Sequence, residues 1–540
     1  MSDNGLFWRT LTPVGLFAAV AAVIVAGWWW LGRPVAMPAG AAGERLQCVS
    51  YAPFRADQNP LDAGTRVEPW QIEEDLTRLA ALTNCIRTYS IEHGVDQVPA
   101  IAQRHGMKVL LGLWLSPHRD KNRVQIDTAI ALAKRFPDTV TSVIVGNEVL
   151  LRGELSAGEL AAIIREVKAA VTVPVTYADV WEFWLRNPDL AGAVDFVTIH
   201  LLPYWEDFPI PVERAAAHVE SIRQRVAARF PGKEIFIGEV GWPSAGRMRE
   251  GALPSRANQA RFLQEVMANA RRDKVRVSVI EAFDQPWKRA LEGTVGGHWG
   301  LFDATRRQPK FAWGAPVSNH PMWRWQAAGG VLFALAMFVV AGITASAKER
   351  WQPARWIGVA AMAAVSGTLL GWMIANVPIE SLGAGGWLRS LAWAVVAFVG
   401  PLACAAALAS GVSPPAFARI LGRAAERPRD PLTLVLGATL IATSVLALQV
   451  ALMLVFDSRY VDFPFAPLLG AAFPFAVLAL ALPRAKGARP PAETLASALL
   501  AGAAIYIALN ESVANWQALL LCAGLALSAL TLARQRAAPG

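Results

Sequence analysis

The chain has 540 residues, of which 54% are hydrophobic and only 17% charged, and it carries a formal net charge of +9. Soluble globular domains run at about a quarter charged residues, so a wholly soluble protein is excluded. The length accommodates about three to four domain-sized units, enough for one soluble domain beside a membrane part.

An apolar run at roughly 12–32 is long enough to cross a bilayer, which takes ~20 helical residues. Trp28, Trp29 and Trp30 fall at its far end, where interfacial aromatics belong. Small residues around Ala39 to Gly43 would suit signal cleavage. The apolar core is longer than a signal h-region, so residues 1–44 read as an uncleaved anchor and linker.

From 45 to about 290 strand and helix alternate, and the strands are apolar on both faces. Strands are expected at Leu46–Tyr51, Cys85–Ser90, Lys108–Trp114, Val140–Gly146, Val175–Asp179, Val194–His200, Glu234–Glu239 and Arg276–Phe283. Helical spacing covers Trp70–Leu82, Ile126–Phe136, Ala157–Val171, Val212–Phe230 and Arg256–Arg272. Eight such pairs in this span predict an α/β fold, a (β/α)8 TIM barrel. Its chemistry sits at the C-terminal strand ends, where the following loops converge. Those ends carry Tyr51, Tyr89, Trp114, Asn147 with Glu148, Tyr177 with Asp179, His200 with Tyr204, Glu239, and Glu281 with Asp284.

Glu148 and Glu239 each follow an apolar strand, in VIVGNE and IFIGE. One such Glu alone reads equally well as a salt-bridge partner or a helix cap. Two of them, after strands four and seven and among tyrosines and tryptophans, point to chemistry. Aromatic rings stack on sugar C–H faces and paired carboxylates work on acetals, so a carbohydrate cleft is expected.

GNEV at 146–149 and IGEVGWPSAG at 237–246 resemble the two signatures of glycoside hydrolase family 17, the β-1,3-glucanase family. IRTYS at 86–90, MKVLLGLW at 107–114, TYADVW at 176–181, VDFVTIHLLPYWE at 194–206 and EAFDQPWK at 281–288 fit the same family, and the resemblance covers about residues 45–315. With its flanking spans the chain is similar to the bacterial membrane-bound β-(1,3)/(1,6)-glucan synthase or transglycosylase group. The resemblance implies a retaining mechanism with Glu148 as acid/base and Glu239 as nucleophile. It further implies Asn147 on the sugar 2-hydroxyl, substrate contacts from Tyr51, Tyr89, Asp179, His200, Tyr204, Glu281 and Lys288, and stacking platforms at Trp205, Trp242 and Trp287. Glu281 with Lys288 also reads as a surface ion pair, and Trp242 as core.

Cys48 and Cys85 lie in the first two strands. Adjacency would allow a disulfide in an oxidising compartment, and two buried thiols are the other reading. Cys404 and Cys522 fall in apolar runs and read as packing residues. No spacing resembles a metal site, and the mechanism needs no metal or cofactor.

Residues 323–540 hold seven further apolar runs, at roughly 325–345, 356–376, 388–410, 432–456, 464–482, 492–509 and 514–533. This stretch has 15 Lys and Arg against eight Asp and Glu, whereas residues 45–322 are nearly balanced at 34 against 32. The excess sits in short loops at Lys348, Arg350, Arg355, Arg419, Arg423, Arg427, Arg429, Arg484, Lys486, Arg489, Arg534 and Arg536, on the side shared with Arg9. The positive-inside rule makes that side cytoplasmic, with both termini inside and the 45–315 domain outside. The same distribution removes nucleic acid as a partner. Gln352-Pro353-Ala354-Arg355-Trp356 matches the QxxRW pattern of processive sugar synthases, but the cytoplasmic loops are too short for a nucleotide-sugar domain. The spans lack the embedded Asp, Glu or His of a coupled transporter, so the bundle reads as an anchor in membrane lipid or a platform for a separate glucan synthase or exporter. A glucan conduit between the helices is the other reading.

A retaining enzyme forms a glycosyl intermediate that water or a sugar hydroxyl resolves. The resemblance favours a periplasmic transglycosylase at a bacterial inner membrane that elongates or branches β-1,3-glucan, with β-1,6 linkages left open. A membrane-bound endo- or exo-β-1,3-glucanase is the alternative, and a non-catalytic glucan-binding scaffold or export component the third reading.

Overall fold

The computed structural model describes residues 3–38, 45–345, 352–423, 427–484 and 487–536, with side chains from residue 13 onward. The Ala39–Gly43 cleavage motif, the Arg9 side chain, Lys348, Arg350 and Lys486 lie outside the described residues. Contacts divide the chain into one unit at Pro34–Val317 and another made of Met1–Arg33 with Ser318–Gly540.

In the first unit eight parallel strands close into a barrel in chain order. They are β1 (Cys48–Ser50), β2 (Cys85–Arg87), β3 (Lys108–Leu113), β4 (Val140–Asn147), β5 (Val175–Val180), β6 (Val197–Leu201), β7 (Ile235–Val240) and β8 (Val277–Val279). Each strand pairs with the next, and β8 returns to β1 through Cys48↔Ser278 and Val49↔Val279. Parallel strands flanked by helices are buried on both faces, which explains why IFIGEV in β7 is buried throughout. Cys48, Leu110, Ile144, Ala178, Phe196 and Phe236 form a compact apolar cluster. Cys48 and Cys85 form a disulfide that ties β1 to β2.

The helix Ala157–Ala170 illustrates how the outer layer forms. Ser156 accepts from the Glu159 amide at 3.3 Å, while Glu159 accepts from the Ser156 amide at 3.1 Å, closing a capping box that satisfies exposed N–H groups. Leu160, Ile164 and Val167 recur at helical spacing and are fully buried, each contributing roughly 1.5–3 kcal/mol. An aspartate at position 164 would remove that apolar contact and break the docking of the helix.

Several boundaries differ from the sequence reading. Helix Arg119–Arg135 begins seven residues before Ile126. Its first turns are polar and hide their burial, since Asn122 binds Ser116 and Gln125 binds the Trp114 amide. β8 stops at Val279 rather than Phe283, and a cis peptide joins Ile280 to Glu281. β6 starts at Val197, because Asp195 turns its carboxylate onto the Val175 amide at 2.7 Å.

In the second unit seven helices among the described residues are long and apolar enough to cross a membrane: Pro13–Leu31, Trp323–Thr344, Pro353–Glu380, Gly383–Ser410, Pro431–Phe456, Pro491–Asn510 and Trp516–Arg534. The run read as an eighth span forms a shorter apolar helix, Phe465–Ala481, of 17 residues, at the lower edge of spanning length. Helix ends sort by chemistry. At one end Trp28, His320, Trp372, Phe465 and Trp516 form a connected set of ring contacts. Elsewhere arginines cap carbonyls of neighbouring helices, Arg355 on Leu408 at 2.8 Å and Arg534 on Ala479 at 2.7 Å.

Candidate active site

The C-terminal ends of β2, β4, β6 and β7 bring five polar side chains into one cluster, Arg87, Asn147, Glu148, His200 and Glu239. Arg87 enters from β2 and is 1% exposed. Its Nη1 donates to Glu239 Oε1 at 2.9 Å and to the Gly238 carbonyl at 2.8 Å, and its Nη2 donates to Asn147 Oδ1 at 2.5 Å. Gly238 lets β7 pass close to β6, since a Cβ there would lie 2.4 Å from Thr198 Cγ2. His200 from β6 completes the cluster, with Nδ1 2.8 Å from Glu148 Oε1 and Nε2 3.3 Å from Arg87 Nη2. These partners suit an imidazole that donates from Nδ1 to Glu148 and accepts at Nε2 from Arg87.

β4 presents Glu148 through an irregular end. Its pairing with β5 shifts between Ile144 and Asn147, Gly146 has φ +87°, and Glu148 itself has φ +52°. A non-glycine residue in the left-handed region costs energy and is held only by its surroundings. Here the Glu148 amide donates to Ala178 O at 2.8 Å, and its carbonyl accepts from the Arg152 amide at 2.9 Å.

A carboxylate oxygen of Glu148, one of Glu239 and a ring nitrogen of His200 all lie within 4.8 Å of one another. Such a set could hold a metal by donor type. The Arg87 guanidinium is already bonded to Glu239 and faces His200, and it supplies positive charge at that point. The short separation fits the retaining geometry, in which carboxyl groups stand ~5–5.5 Å apart, and not the 6.5–9.5 Å of inverting enzymes.

Burial raises the proton affinity of Glu148, but the His200 hydrogen bond with the charges of Arg152 and Arg87 outweighs it, holding the group below the usual carboxylate range. Next to it Asp179, fully buried and bonded by the Tyr177 hydroxyl, is pushed up to about 6, chiefly by burial.

On the β8 side Lys288 Nζ lies 2.9 and 3.0 Å from the Glu281 oxygens. Glu281 is 1% exposed, so this is a buried pair and not the surface pair that the sequence also allowed. Burial lifts Glu281 to about 7 against the pull of Lys288. Asp284 belongs to a separate buried contact with Lys310 at 2.6 Å. Tyr89 lies beneath the Arg87 guanidinium, whose carbon stands 4.8 Å from the Tyr89 ring centre, with its hydroxyl buried. Burial raises that phenol well above its usual range, so it stays a donor.

Three expected sugar contacts are placed otherwise. Tyr51 is 1% exposed and its hydroxyl donates to Asp75 at 2.9 Å, in a buried network with Arg55 and Arg307. Tyr204 has no exposed surface and donates to Arg247 O at 2.9 Å, and Trp242 is likewise fully buried with Nε1 on Leu253 O at 3.0 Å. With no free surface to offer a sugar, these three are core residues of the barrel. Trp205 and Trp287 keep partial exposure, with Trp205 stacked on Trp299 at 6.4 Å and Trp287 donating to Gln285.

Arg87, Arg152 and Glu292 escaped the sequence reading. Arg87 had a signal, a lone arginine inside the apolar strand CIR. Glu292 had none, because it follows a turn after β8 and not a strand end. Burial raises its carboxyl, with Lys288 opposing and Glu148 and Glu239 adding to the rise.

The sequence profile described as the BtgE/BtgC glycoside hydrolase domain matches residues 48–300. A glucan 1,3-beta-glucosidase of Schizosaccharomyces pombe is 30% identical over 241 residues, spanning 40% of this chain and 72% of that protein. The chain belongs to glycoside hydrolase family 17. A glucan 1,3-beta-glucosidase of Candida albicans is 27% identical over 270 residues, which is 45% of this chain and 87% of the relative. A family 17 beta-1,3-glucanosyltransferase from Rhizomucor miehei, known by crystal structure, is 26% identical, covering 49% of this chain and 95% of that one with a TM-score of 0.44. The profile match lies within the barrel unit and ends before the apolar helix at Trp323.

Proposed function

We propose that this family 17 enzyme is a membrane-anchored retaining transglycosylase that elongates or branches β-1,3-glucan. The observation that carries the reading is the juxtaposition of Glu148 and Glu239 at the ends of β4 and β7, joined by His200 and Arg87. β-1,3-Glucan as substrate is supported by family membership and by the activities named for its fungal relatives.

Glu239 attacks the anomeric carbon while Glu148 gives its proton to the leaving glycosidic oxygen, so a sugar–Glu239 ester replaces the glycosidic bond. An incoming sugar hydroxyl then returns a proton to Glu148 and displaces Glu239. Arg87 orients the nucleophile and occupies Asn147 Oδ1, leaving the Asn147 amide N–H groups for the sugar 2-hydroxyl. Tyr89 and the Lys288–Glu281 pair hold further sugar hydroxyls, and Trp205 and Trp287 offer stacking edges. His200 and Asp179 act on Glu148 and not on the sugar.

The membrane side of the reading rests on the apolar helices and on the cysteines. A Cys48–Cys85 disulfide suits an oxidising compartment, which supports a barrel on the periplasmic side of a bacterial inner membrane. The arginine-rich loops then lie in the cytoplasm together with both termini, Phe465–Ala481 counting as the eighth span.

Trapping tests the mechanism. A 2-deoxy-2-fluoro glycosyl fluoride of a β-1,3-linked disaccharide should label full-length protein in detergent on the peptide carrying Glu239, and E239Q should stay unlabelled and inactive. A label on another carboxylate overturns the nucleophile assignment, and inversion at the anomeric carbon overturns the retaining mechanism.

A further inference from the structure

Arg152 lies four residues beyond Glu148 and binds the backbone on both sides of it. Its backbone amide donates to the Glu148 carbonyl at 2.9 Å. Its Nη1 turns back to donate to the carbonyl of Asn147, the residue before Glu148. Its Nη2 reaches the neighbouring β3 loop at Leu115 O, 2.9 Å away, and the Glu154 carboxylate at 2.6 Å. The guanidinium lies 4.0 Å over the Trp114 ring. One planar cation thus staples the loops after β3 and β4 around a glutamate whose φ is +52°.

We propose that Arg152 is the positioning residue of the acid/base: it holds Glu148 in its left-handed backbone conformation. The proposal rests on the reading of Glu148 as acid/base. A left-handed glutamate persists only where its surroundings hold it, and here the Arg152 guanidinium pins the carbonyl before Glu148 while the Arg152 backbone amide pins the one after it.

Other charged groups also face Glu148. His200 donates to it from β6, and Arg87 on β2 adds a second cation. Asp179 and Tyr177 on β5, Glu292 beyond β8 and Glu239 on β7 add negative or ionisable oxygens. R152M and R152K both lose the guanidinium fork while only R152M loses the charge, so the difference between their Glu148 titrations reports the missing cation.

The test uses full-length protein in detergent with a β-1,3-linked glucose oligosaccharide, and compares R152M, R152K and E148Q. R152M should lose on the order of 10- to 100-fold in kcat with little change in KM, since a small misplacement of a catalytic group costs that much. The alkaline limb of its kcat/KM profile should move up by about one pH unit, because an opposite charge is gone, while the acidic limb stays. R152K keeps the charge and loses the fork, so its alkaline limb should remain at the wild-type pH while its kcat falls. R152M with wild-type kcat and an unmoved alkaline limb overturns the proposal. If R152M fails to fold, R152K decides, and a wild-type kcat there overturns it. Normal turnover by E148Q instead removes the acid/base reading, a separate failure.

Discussion

His200 joins the two carboxylates of the cleft: its Nδ1 lies 2.8 Å from Glu148 Oε1 and its Nε2 3.5 Å from Glu239 Oε1. The imidazole side chain is fully buried between them, so its hydrogen bond acts on Glu148 with little screening by water. Replacing it with phenylalanine removes the donor that helps hold Glu148 down. The alkaline limb of kcat/KM in H200F should therefore rise by about one pH unit, with a drop in rate on the order of tenfold or more. A limb that stays put would show that His200 serves packing alone.

Gly146 makes the turn that presents Glu148. Its φ of +87° disfavours any side chain, and a Cβ there would stand 2.7 Å from Val149 Cγ2. G146A should cost about 1–2 kcal/mol in backbone strain and about 100-fold in kcat/KM as Glu148 shifts. Chemical unfolding together with steady-state kinetics separates the two effects, and full activity in a folded G146A would refute the positioning role.

Glu281 gives the protein a pH signature. Its folded value of about 7 lies above that of an unfolded glutamate, so the native state binds the extra proton in between. That contribution is fully present below the unfolded value near 4.5 and is lost as pH rises through about 7. The melting temperature should accordingly carry a downward component from pH 5 to pH 8 that E281Q flattens, whatever its effect on absolute stability. Parallel curves for the two proteins would contradict the assignment.

The disulfide closes a loop of 37 residues between the first two staves of the barrel. Chain entropy assigns such a link about 4 kcal/mol of stability. C48S/C85S should lose most of this in denaturant titrations of the full chain, and reduction of the wild type should reproduce the loss. An oxidised and a reduced protein of equal stability would disprove the linkage.

The barrel was legible because its strands are buried on both faces, and continuous apolar runs such as VIVGN and IFIGE have no other easy use in a chain of alternating elements. Glu148 and Glu239 were legible for the same reason, as carboxylates at the ends of such runs. Tyr51 and Tyr204 were misplaced, and Trp242 takes the core reading of its two, because position at a strand end does not say which way a side chain faces. Only the partners reveal that Tyr51 turns to Asp75 and Trp242 to Leu253. Arg152 and Glu292 were invisible because their importance comes from what lies across the cleft in other loops, which no local spacing encodes.

Whether the glycosyl group on Glu239 passes to a sugar or to water is read in a single assay. Full-length protein in detergent is incubated with an end-labelled β-1,3-linked glucose oligosaccharide, and product masses and linkages are followed in time. The account predicts labelled products longer than the donor from the earliest time points, absent with E239Q. Labelled products that are only shorter than the donor would make the protein a hydrolase and contradict it.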